Sequence, residues 1–324
     1  MADLRVGLIG IGGMGFCHYN AYKNVNGANV VAVCDIRTDM AKEKTKGESK
    51  IYSDYKEMIE KENLDMVDVC TPSYLHADMS VYCLNHGLNV LCEKPMTLCG
   101  ADADRVLAAA EKTDKFFMTA HVVRFMRAYA YLKKVVDEKK HGNLVRLDMK
   151  RVSSIPRWSW NNWFLDEKLS GGVTTDLSIH DFDFVQSMLG KPDSVESFYR
   201  PIKNDSAFVL TVMKYGDAVV TTEGTWYNAH MPFHADYYAV FDNGYVEFSG
   251  GTVYDDGEKV DLGSATAASD LGINIKSDDA YRDEIDYFVT CVRSGVKPSF
   301  VTPESSAASV RLSDKVKAVA KIID

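Results

Sequence analysis

Three polar residues have the types and spacing that acid–base chemistry needs. Asp176 and His180 are four residues apart in a segment predicted to be helical, 172–189, so both side chains should project from one helix face. Lys94 follows an apolar run, 89–92, that is predicted to be a buried strand of a parallel sheet. Open α/β sheets bind their ligands beyond the carboxyl ends of the strands. The sequence therefore predicts that all three residues face a ligand.

These side chains suit the removal of hydride from an alcohol. The hydroxyl proton must leave as well, which requires a base with a pKa near neutrality within hydrogen-bonding distance. His180 is the predicted base. Asp176 is predicted either to orient the imidazole or to bind a neighbouring hydroxyl, and the Lys94 ammonium to stabilise negative charge on the reacting oxygen. The alternative interpretation is a buried structural histidine and a solvated surface lysine.

A glycine-rich turn near the start of the chain indicates a dinucleotide-binding site. The pattern follows a predicted strand, 4–9, and opens a predicted helix. Its residues are Gly10, Ile11, Gly12, Gly13, Met14 and Gly15. The first glycine permits a tight turn, the second lets the backbone approach a pyrophosphate, and the third allows close packing of helix and strand. The helix N-terminus offers N–H groups to the anion, although a purely structural turn is the alternative.

The acidic residue at the end of the second predicted strand favours NAD as the cofactor. Asp35 lies about 20 residues beyond the glycines, where a carboxylate accepts hydrogen bonds from the adenosine ribose hydroxyls. Ile36 and Arg37, which follow, are predicted to belong to the same site. Arg37 keeps NADP open as the alternative, because a guanidinium can hold a 2′-phosphate if the Asp35 side chain turns away.

Further motifs accompany the glycine turn along the chain. They are Thr71-Pro72-Ser73 with His76, Glu93-Lys94-Pro95, and the run from Gly171 to Asp183. In their order and spacing the motifs resemble the glucose-fructose oxidoreductase / inositol dehydrogenase / MocA family, and the resemblance spans the whole chain. It implies a dehydrogenase that uses NAD(P) and transfers hydride at a hydroxyl or carbonyl carbon of a sugar, polyol or related compound. It also implies a homodimer or homotetramer that pairs the C-terminal sheets.

The resemblance assigns roles to single residues. The catalytic residues that it implies are Lys94, Asp176 and His180. The residues implied beside the nicotinamide are Thr71, Pro72, Ser73 and His76. Glu93 is predicted either to bind a ribose or to cap the helix that follows. The alternatives are a non-catalytic, cofactor-binding regulator and a reductase or dehydrogenase of a non-sugar compound, such as an unsaturated or aromatic diol. A regulator has no need for all three catalytic residues.

Hydrophobic patterning predicts two domains of different architecture. Short apolar strands alternate with helices up to about residue 121, which is typical of a parallel sheet. Longer strands of alternating character follow, joined by tight turns and accompanied by helices. The predicted fold class is α/β, with a Rossmann dinucleotide-binding domain at 1–121. An α+β domain at 122–324, built on an open, mostly antiparallel sheet, would bind substrate and form the oligomer. The polar segment 250–275 is predicted to be a loop.

A tryptophan-rich segment, 153–163, precedes the Gly171 motif and is predicted to form a pocket wall. Aromatic faces stack on the C–H faces of sugars, and polar neighbours bind hydroxyls or a carboxylate. The candidate substrate-binding residues are Arg157, Trp160 and Trp163, with Arg124 as a weaker one. Ordinary packing of a loop on the core is an equally good interpretation for each of them.

Composition and charge exclude several classes of partner. The net charge is -9 with both signs interspersed, so no basic stripe is available for nucleic acid. Without a secretory leader or an apolar run of membrane-spanning length, the expectation is a cytoplasmic location and no membrane partner. The 7 cysteines contain no Cys-x-x-Cys and are predicted to be reduced thiols. No metal site is predicted.

Overall fold

The computed structural model describes residues 2–202, 206–263 and 279–323. The chain divides into two compact units. The first extends to Phe125, apart from Leu98–Gly100, and also includes residues 279–307. The second contains Leu98–Gly100, the described residues from Met126 to 263, and those from Ala308 onward. The predicted boundary after residue 121 lies close to the end of the first stretch, but a later stretch of chain returns to the first unit.

Strands and helices alternate from the start of the chain to residue 125. They are β1 (Leu4–Ile9), α1 (Gly13–Tyr22), β2 (Ala28–Cys34), α2 (Thr38–Thr45), β3 (Lys50–Tyr52), α3 (Tyr55–Lys61), β4 (Met66–Val69), α4 (His76–Asn85), β5 (Asn89–Glu93), α5 (Gly100–Glu111) and β6 (Phe117–Ala120). Among the described residues these strands form a 6-stranded sheet in the order β3-β2-β1-β4-β5-β6. Every neighbouring pair in it is parallel. This confirms the predicted Rossmann arrangement, in which the strand order reverses between β1 and β4 and leaves a ligand-binding crevice.

The rest of the chain contains all the antiparallel pairing that the structure describes. Its elements are α6 (Arg127–Asp137), β7 (Leu144–Ser154), α7 (Glu167–Ser170), α8 (Ile179–Leu189), β8 (Ser194–Ile202), β9 (Ser206–Tyr215), β10 (Ala218–Tyr227), β11 (His234–Phe241), β12 (Gly244–Ser249), β13 (Thr252–Asp255), β14 (Glu258–Lys259), α9 (Ala280–Ser294), α10 (Pro303–Val319) and β15 (Ala320–Ile322). Where the structure describes them, the strands form one 9-stranded sheet, ordered β14-β13-β12-β11-β7-β10-β9-β8-β15. Parallel pairing joins β7 to β10 and β8 to β15, and the other neighbours are antiparallel. The predicted open, mostly antiparallel sheet is confirmed.

Helix α9 explains why late residues belong to the first unit. Ile285, Phe288 and Val289 are fully buried there in a core cluster with Val6 of β1 and Met66 of β4. Apolar residues spaced three and four apart form one face of a helix, but that spacing does not say which sheet the face covers. The sequence therefore predicts a helix but not the sheet on which its apolar face packs.

Some elements differ from the predicted ones. The predicted helix 172–189 is divided into a π-helical turn, Val173–Leu177, and helix α8. Ahead of the turn, Gly171 and Gly172 have φ of +79° and +65°, a region that favours glycine. Strands β3 and β15 were not predicted.

Residues 250–263 of the predicted loop contain β13 and β14, and the remainder of 250–275 lies outside the described residues. None of the helices that the structure describes is long and apolar enough to cross a membrane.

Candidate active site

Two glycines bring helix α1 close to the end of strand β1. Gly10 has φ +89°, and a Cβ atom there would lie 2.7 Å from the carbonyl oxygen of Cys70. A Cβ atom at Gly15 would lie 1.9 Å from the carbonyl oxygen of Gly10. No side chain fits at either position, because real Cβ contacts are much longer than this. The start of α1 is thereby fixed at the point where the strand order reverses.

The surface at Gly12 is open, as a dinucleotide site requires. A Cβ atom at Gly12 would meet only the guanidinium of Arg37, at 4.0 Å. The first N–H groups of a helix have no partner within it, and here they belong to Gly13, Met14 and Gly15. These donors at a helix N-terminus, beside a position without a side chain, fit a pyrophosphate.

Asp35 is held in place at the end of β2. Its carboxylate accepts the N–H groups of Ile11 at 3.1 Å and of Arg37 at 2.9 Å. The Arg37 side chain donates to the same carboxylate at 3.2 Å. Asp35 is buried, whereas the next side chain, Ile36, is 66% exposed. The Arg37 guanidinium thus forms an ion pair with the carboxylate at the end of β2.

Lys44 of α2 also contacts the glycine turn, and the sequence analysis missed it. Its Nζ donates to the carbonyl oxygens of Ile11 at 2.8 Å and Gly12 at 2.9 Å. Burial and the nearby Arg37 charge lower the pKa of Lys44. The contact places a cation directly beside the proposed pyrophosphate site. No sequence signal marks it, because the lysine belongs to a helix more than 30 residues away.

The motif after β4 forms a short 3₁₀ turn, Ser73–Leu75, that leads into α4. The His76 ring is buried, with Nδ1 2.8 Å from the carbonyl oxygen of Pro95 and Nε2 2.8 Å from that of Thr71. Burial lowers the pKa of His76. The imidazole thus connects the segments that follow β4 and β5. A contact of Thr71, Pro72, Ser73 or His76 with nicotinamide stays a prediction.

Glu93 and Lys94 are at the carboxyl end of β5, as predicted. Glu93 is buried and accepts the main-chain N–H of Lys94 at 2.9 Å. Its other carboxylate oxygen lies 3.0 Å from Nε2 of His18. Neither predicted role of Glu93, a ribose contact or a helix cap, accounts for these contacts. Lys94 is half-buried and belongs to the first unit.

Asp176 and His180 lie close together in sequence within the second unit. Asp176 is buried in the π-helical turn, and His180 is half-buried near the start of α8. The two are therefore not on one continuous α-helix, contrary to the prediction. Hydrogen bonds within the second unit hold this stretch: Thr175 to Ser313 at 2.9 Å, Ser309 to Asp183 at 2.9 Å, and Arg151 to Asp181 at 2.7 Å.

The candidate substrate residues have different surroundings. Trp160 is 41% exposed and Arg157 is exposed, whereas the Trp163 ring stacks on Phe164 with centroids 4.0 Å apart. Arg124 belongs to the first unit, where it is buried. Its guanidinium donates to the carbonyl oxygen of Phe300 at 2.8 Å and to Oγ of Ser305 at 3.2 Å. These contacts give Arg124 a structural role, and substrate binding by any of the four stays a prediction.

Within the described ranges, two groups of side chains have spacing that could suit a metal: His18 with Asp68 and Cys70, and His141 with Asp255 and Asp256. In each group the imidazole already contacts a carboxylate at hydrogen-bonding distance, 2.9 Å for His18 and Asp68 and 2.6 Å for His141 and Asp255. The Lys140 ammonium also contacts Asp255, at 2.7 Å. In both groups, the atoms that could bind a metal already form hydrogen bonds or ion pairs within the protein.

Two family models match the chain. Residues 4–121 match the oxidoreductase family, NAD-binding Rossmann fold, of the GFO_IDH_MocA model. Residues 129–247 match the GFO/IDH/MocA C-terminal domain. The two matches follow the order of the units described above.

Relatives with names also resemble the chain. The myo-inositol 2-dehydrogenase of Thermotoga maritima is 32% identical over 193 residues, 58% of this chain and 55% of that protein. The inositol 2-dehydrogenase of Salmonella typhimurium is 30% identical over 216 residues, 64% of this chain and 61% of that protein. The matches thus span less than two thirds of those relatives. The crystal structure of myo-inositol 2-dehydrogenase from Lactobacillus plantarum has the same fold, with TM-score 0.81, 24% identity and coverage of 98% of this chain and 97% of that one.

Proposed function

The chain belongs to the GFO/IDH/MocA oxidoreductase family, and we propose that it is an NAD-dependent dehydrogenase of a sugar or polyol. The observation that carries the proposal is that Lys94, Asp176 and His180 are all present in a chain whose glycine turn fits a dinucleotide. The names of the matched relatives favour an inositol or another cyclic polyol as the substrate. A homodimer or homotetramer formed through the C-terminal sheet, and a cytoplasmic location, stay predictions.

The glycine turn and Asp35 would hold the cofactor. The N–H groups at the start of α1 would bind the pyrophosphate, with the Lys44 cation nearby. Asp35 would accept hydrogen bonds from the adenosine ribose hydroxyls, and exposed Ile36 would lie beside the adenine. The negative charge of Asp35 opposes a 2′-phosphate, and its ion pair with Arg37 supports NAD over NADP. Nicotinamide, when bound, supplies the hydride acceptor or donor.

The chain's own side chains would handle the proton and the charge. His180 would accept the substrate hydroxyl proton during oxidation and return it during reduction. Asp176 would orient the imidazole or bind a neighbouring hydroxyl. The Lys94 ammonium would stabilise the negative charge that develops on the reacting oxygen. Arg157, Trp160 and Trp163 would contact the rest of the substrate.

A screen of substrates with both cofactors tests this function. The purified protein is mixed with NAD or NADP and with myo-inositol, aldoses, linear polyols or an aromatic diol, and reduced nicotinamide is followed by its absorbance. We expect turnover of a polyol or sugar with NAD, and a kcat about 10²- to 10⁴-fold lower for Lys94→Met. Turnover of only the aromatic diol would favour a non-sugar dehydrogenase. Tight NAD binding without turnover of any compound would favour the regulator, and a preference for NADP would overturn the assignment of Asp35.

A further inference from the structure

A group of buried ionisable side chains lies in the first unit beside Lys94, and the proposed function uses none of their side chains. We call it the His18 cluster. It contains His18 of α1, Asp68 and Cys70 at the end of β4, Glu93 at the end of β5, and Glu284 of α9. His18, Asp68 and Glu284 are each 0% exposed. Burial of this many ionisable groups is costly unless charges are paired, so their contacts decide which of them are charged.

His18 lies between two carboxylates. Its Nδ1 is 2.9 Å from Oδ2 of Asp68, and its Nε2 is 3.0 Å from Oε1 of Glu93. The Nε2 atom makes no contact with a described residue that meets hydrogen-bond geometry, so its interaction with Glu93 is an ion pair. A neutral imidazole has one N–H and one lone pair, and the lone pair would repel a carboxylate oxygen at this distance. Both contacts are attractive only if both ring nitrogens carry a proton.

Cys70 confirms that Asp68 is the anion of this pair. The Cys70 Sγ is 3.3 Å from Oδ1 of Asp68, to which the thiol donates, and 3.5 Å from Nδ1 of His18. The Asp68 carboxylate therefore accepts a hydrogen bond from the Cys70 thiol on one oxygen and a hydrogen bond from the His18 imidazole N–H on the other. Both donors stabilise its ionised form.

Electrostatics agree with the geometry. Burial opposes the charge on His18, but the charge of the Asp68 carboxylate and its hydrogen bond to Nδ1 raise the pKa of His18 well above its ordinary value. Burial alone would raise the pKa of Glu93, but the hydrogen bond and charge of His18, together with the Lys94 charge, lower it. Burial raises the pKa values of the other groups that face the cluster, which favours their neutral forms: Cys17, Tyr22, Cys70, Tyr281 and Glu284. His76, which also faces Glu93, has a lowered pKa because of burial.

The charge count is therefore balanced beside Lys94. His18 and Lys94 are cations, Asp68 and Glu93 are anions, and burial favours the protonated form of Glu284. The second Glu93 oxygen accepts the main-chain N–H of Lys94 at 2.9 Å. Because one oxygen meets His18 and the other meets the backbone of Lys94, the Glu93 carboxylate cannot rotate without losing a contact.

We propose that His18, held as a buried imidazolium between Asp68 and Glu93, is a positioning residue that fixes Lys94 through Glu93. His18 belongs to the helix whose N-terminus forms the proposed pyrophosphate site, so it ties that helix to the strand end that carries Lys94. The proton on His18 is part of the fold and is not transferred in the reaction. The effect on turnover rests on the proposed function of Lys94, whereas the charge state of His18 does not.

The charge state is tested without any substrate. Protein with ¹⁵N-labelled histidine is examined by NMR, and the His18 signals are identified by their loss in His18→Gln. We expect both ring nitrogens of His18 to remain protonated at pH values well above the ordinary histidine pKa of about 6.5. In Glu93→Gln the proton should be lost at lower pH. A neutral His18 ring that titrates near the ordinary value would overturn the proposal.

Two matched variants test the positioning. The glutamine amide in His18→Gln reaches about as far as Nε2 and can still donate to Glu93. The shorter amide in His18→Asn reaches about as far as Nδ1 and can donate only to Asp68. Displacement of a catalytic group by about 1 Å can cost about 10²-fold, so we expect His18→Asn to lose that order of kcat, with NAD affinity retained. His18→Gln should lose clearly less.

The outcomes separate this inference from the proposed function. If Lys94→Met keeps full turnover, the catalytic role of Lys94 is wrong, while the NMR result for His18 still stands or fails by itself. If Lys94→Met loses turnover but both His18 variants keep the parental kcat, the function stands and the positioning role is wrong. Melting temperatures of both variants are measured alongside. Equal losses of kcat and of melting temperature in the two would assign His18 to stability alone.

Discussion

Arg151 donates two hydrogen bonds to one carboxylate oxygen of Asp181, from Nε at 3.2 Å and from Nη2 at 2.7 Å. Both side chains are almost fully buried, and Arg151 also donates to the hydroxyl of Tyr129 at 3.1 Å. Asp181 directly follows His180. The ion pair therefore attaches the start of α8, which carries the proposed base, to strand β7.

Removal of one partner of this pair should destabilise the second unit. In Arg151→Met the Asp181 carboxylate is left as a buried, uncompensated charge, and such losses cost about 3–5 kcal/mol. We expect a lower urea midpoint, measured by unfolding of the purified variant. The double variant Arg151→Met with Asp181→Asn is the control, and it should recover part of the loss because no buried charge remains. If the losses of unfolding free energy in Arg151→Met and in Asp181→Asn simply add in the double variant, the ion-pair interpretation is wrong.

Lys44→Met should weaken NAD binding while it leaves kcat at saturating NAD nearly unchanged. The variant loses a cation beside the proposed pyrophosphate site, where a pair of unit charges about 4 Å apart contributes about 1 kcal/mol in water and more when partly buried. We therefore expect the Kd for NADH to rise about tenfold or more, measured by fluorescence titration. The control is Lys42→Met, which removes an exposed lysine of the same helix. Equal effects of the two changes would show that only net charge matters.

Substitutions at two glycines should affect different properties, NAD binding in one case and stability in the other. Gly12→Val places its side chain in open space, so the variant should fold with a normal melting temperature but lose NAD affinity. Gly15→Ala places a Cβ against the carbonyl oxygen of Gly10 and should lower the melting temperature before any ligand is added. Calorimetric binding and thermal unfolding of both variants check this pair. NAD affinity that is unaltered in folded Gly12→Val would remove the pyrophosphate from this site.

Elements and residues that are marked by a local pattern were predicted from the sequence, and those that depend on distant partners were not. Strands such as β1 and β5 were predicted because continuous apolar runs are typical of buried parallel strands, and Gly10, Asp35 and Lys94 because each has a fixed place relative to such a strand. β3 and β15 are only three residues long, too short to show a period. The His18 cluster was missed for another reason. Its members come from four separate elements, and a single histidine within a helix gives no sign of partners 50 or more residues away.

The stability of the first unit should depend on pH through Glu284. Burial raises the pKa of Glu284 well above its ordinary value. The stabilisation by the protonated acid is complete below the ordinary pKa, about 4.5, and is lost as the pH rises toward the folded-state pKa. Glu284→Gln mimics the protonated acid and does not titrate. Relative to the parent, its unfolding free energy should improve with pH, by up to about 1.4 kcal/mol for each pH unit in that window.

Urea unfolding at several pH values from about 4.5 upward measures this difference. The control is Asp286→Asn, which changes an exposed carboxylate on the same helix. The difference in unfolding free energy between Glu284→Gln and the parent should change more steeply with pH than the difference between Asp286→Asn and the parent. A Glu284→Gln curve parallel to that of the parent would mean that Glu284 is ionised in the folded protein.

His180→Ala should separate turnover from stability. As the proposed base, His180 is expected to contribute about 10²- to 10⁴-fold to kcat, with NAD affinity nearly unchanged. Lys94→Met should behave likewise. The matched control is His141→Ala, in the same unit as His180, which removes an imidazole 2.6 Å from Asp255. There the expected result is a lower melting temperature and a parental kcat for the folded fraction.

Measurement of kcat and melting temperature on the same preparations decides between the two interpretations of His180. A base gives a large fall in kcat with little change in melting temperature. A structural histidine gives the pattern expected for His141→Ala, because packing is lost while the remaining folded molecules keep every catalytic group. If His180→Ala behaves in that second way, the proton must leave the substrate by another route, and the assignment of the base is wrong.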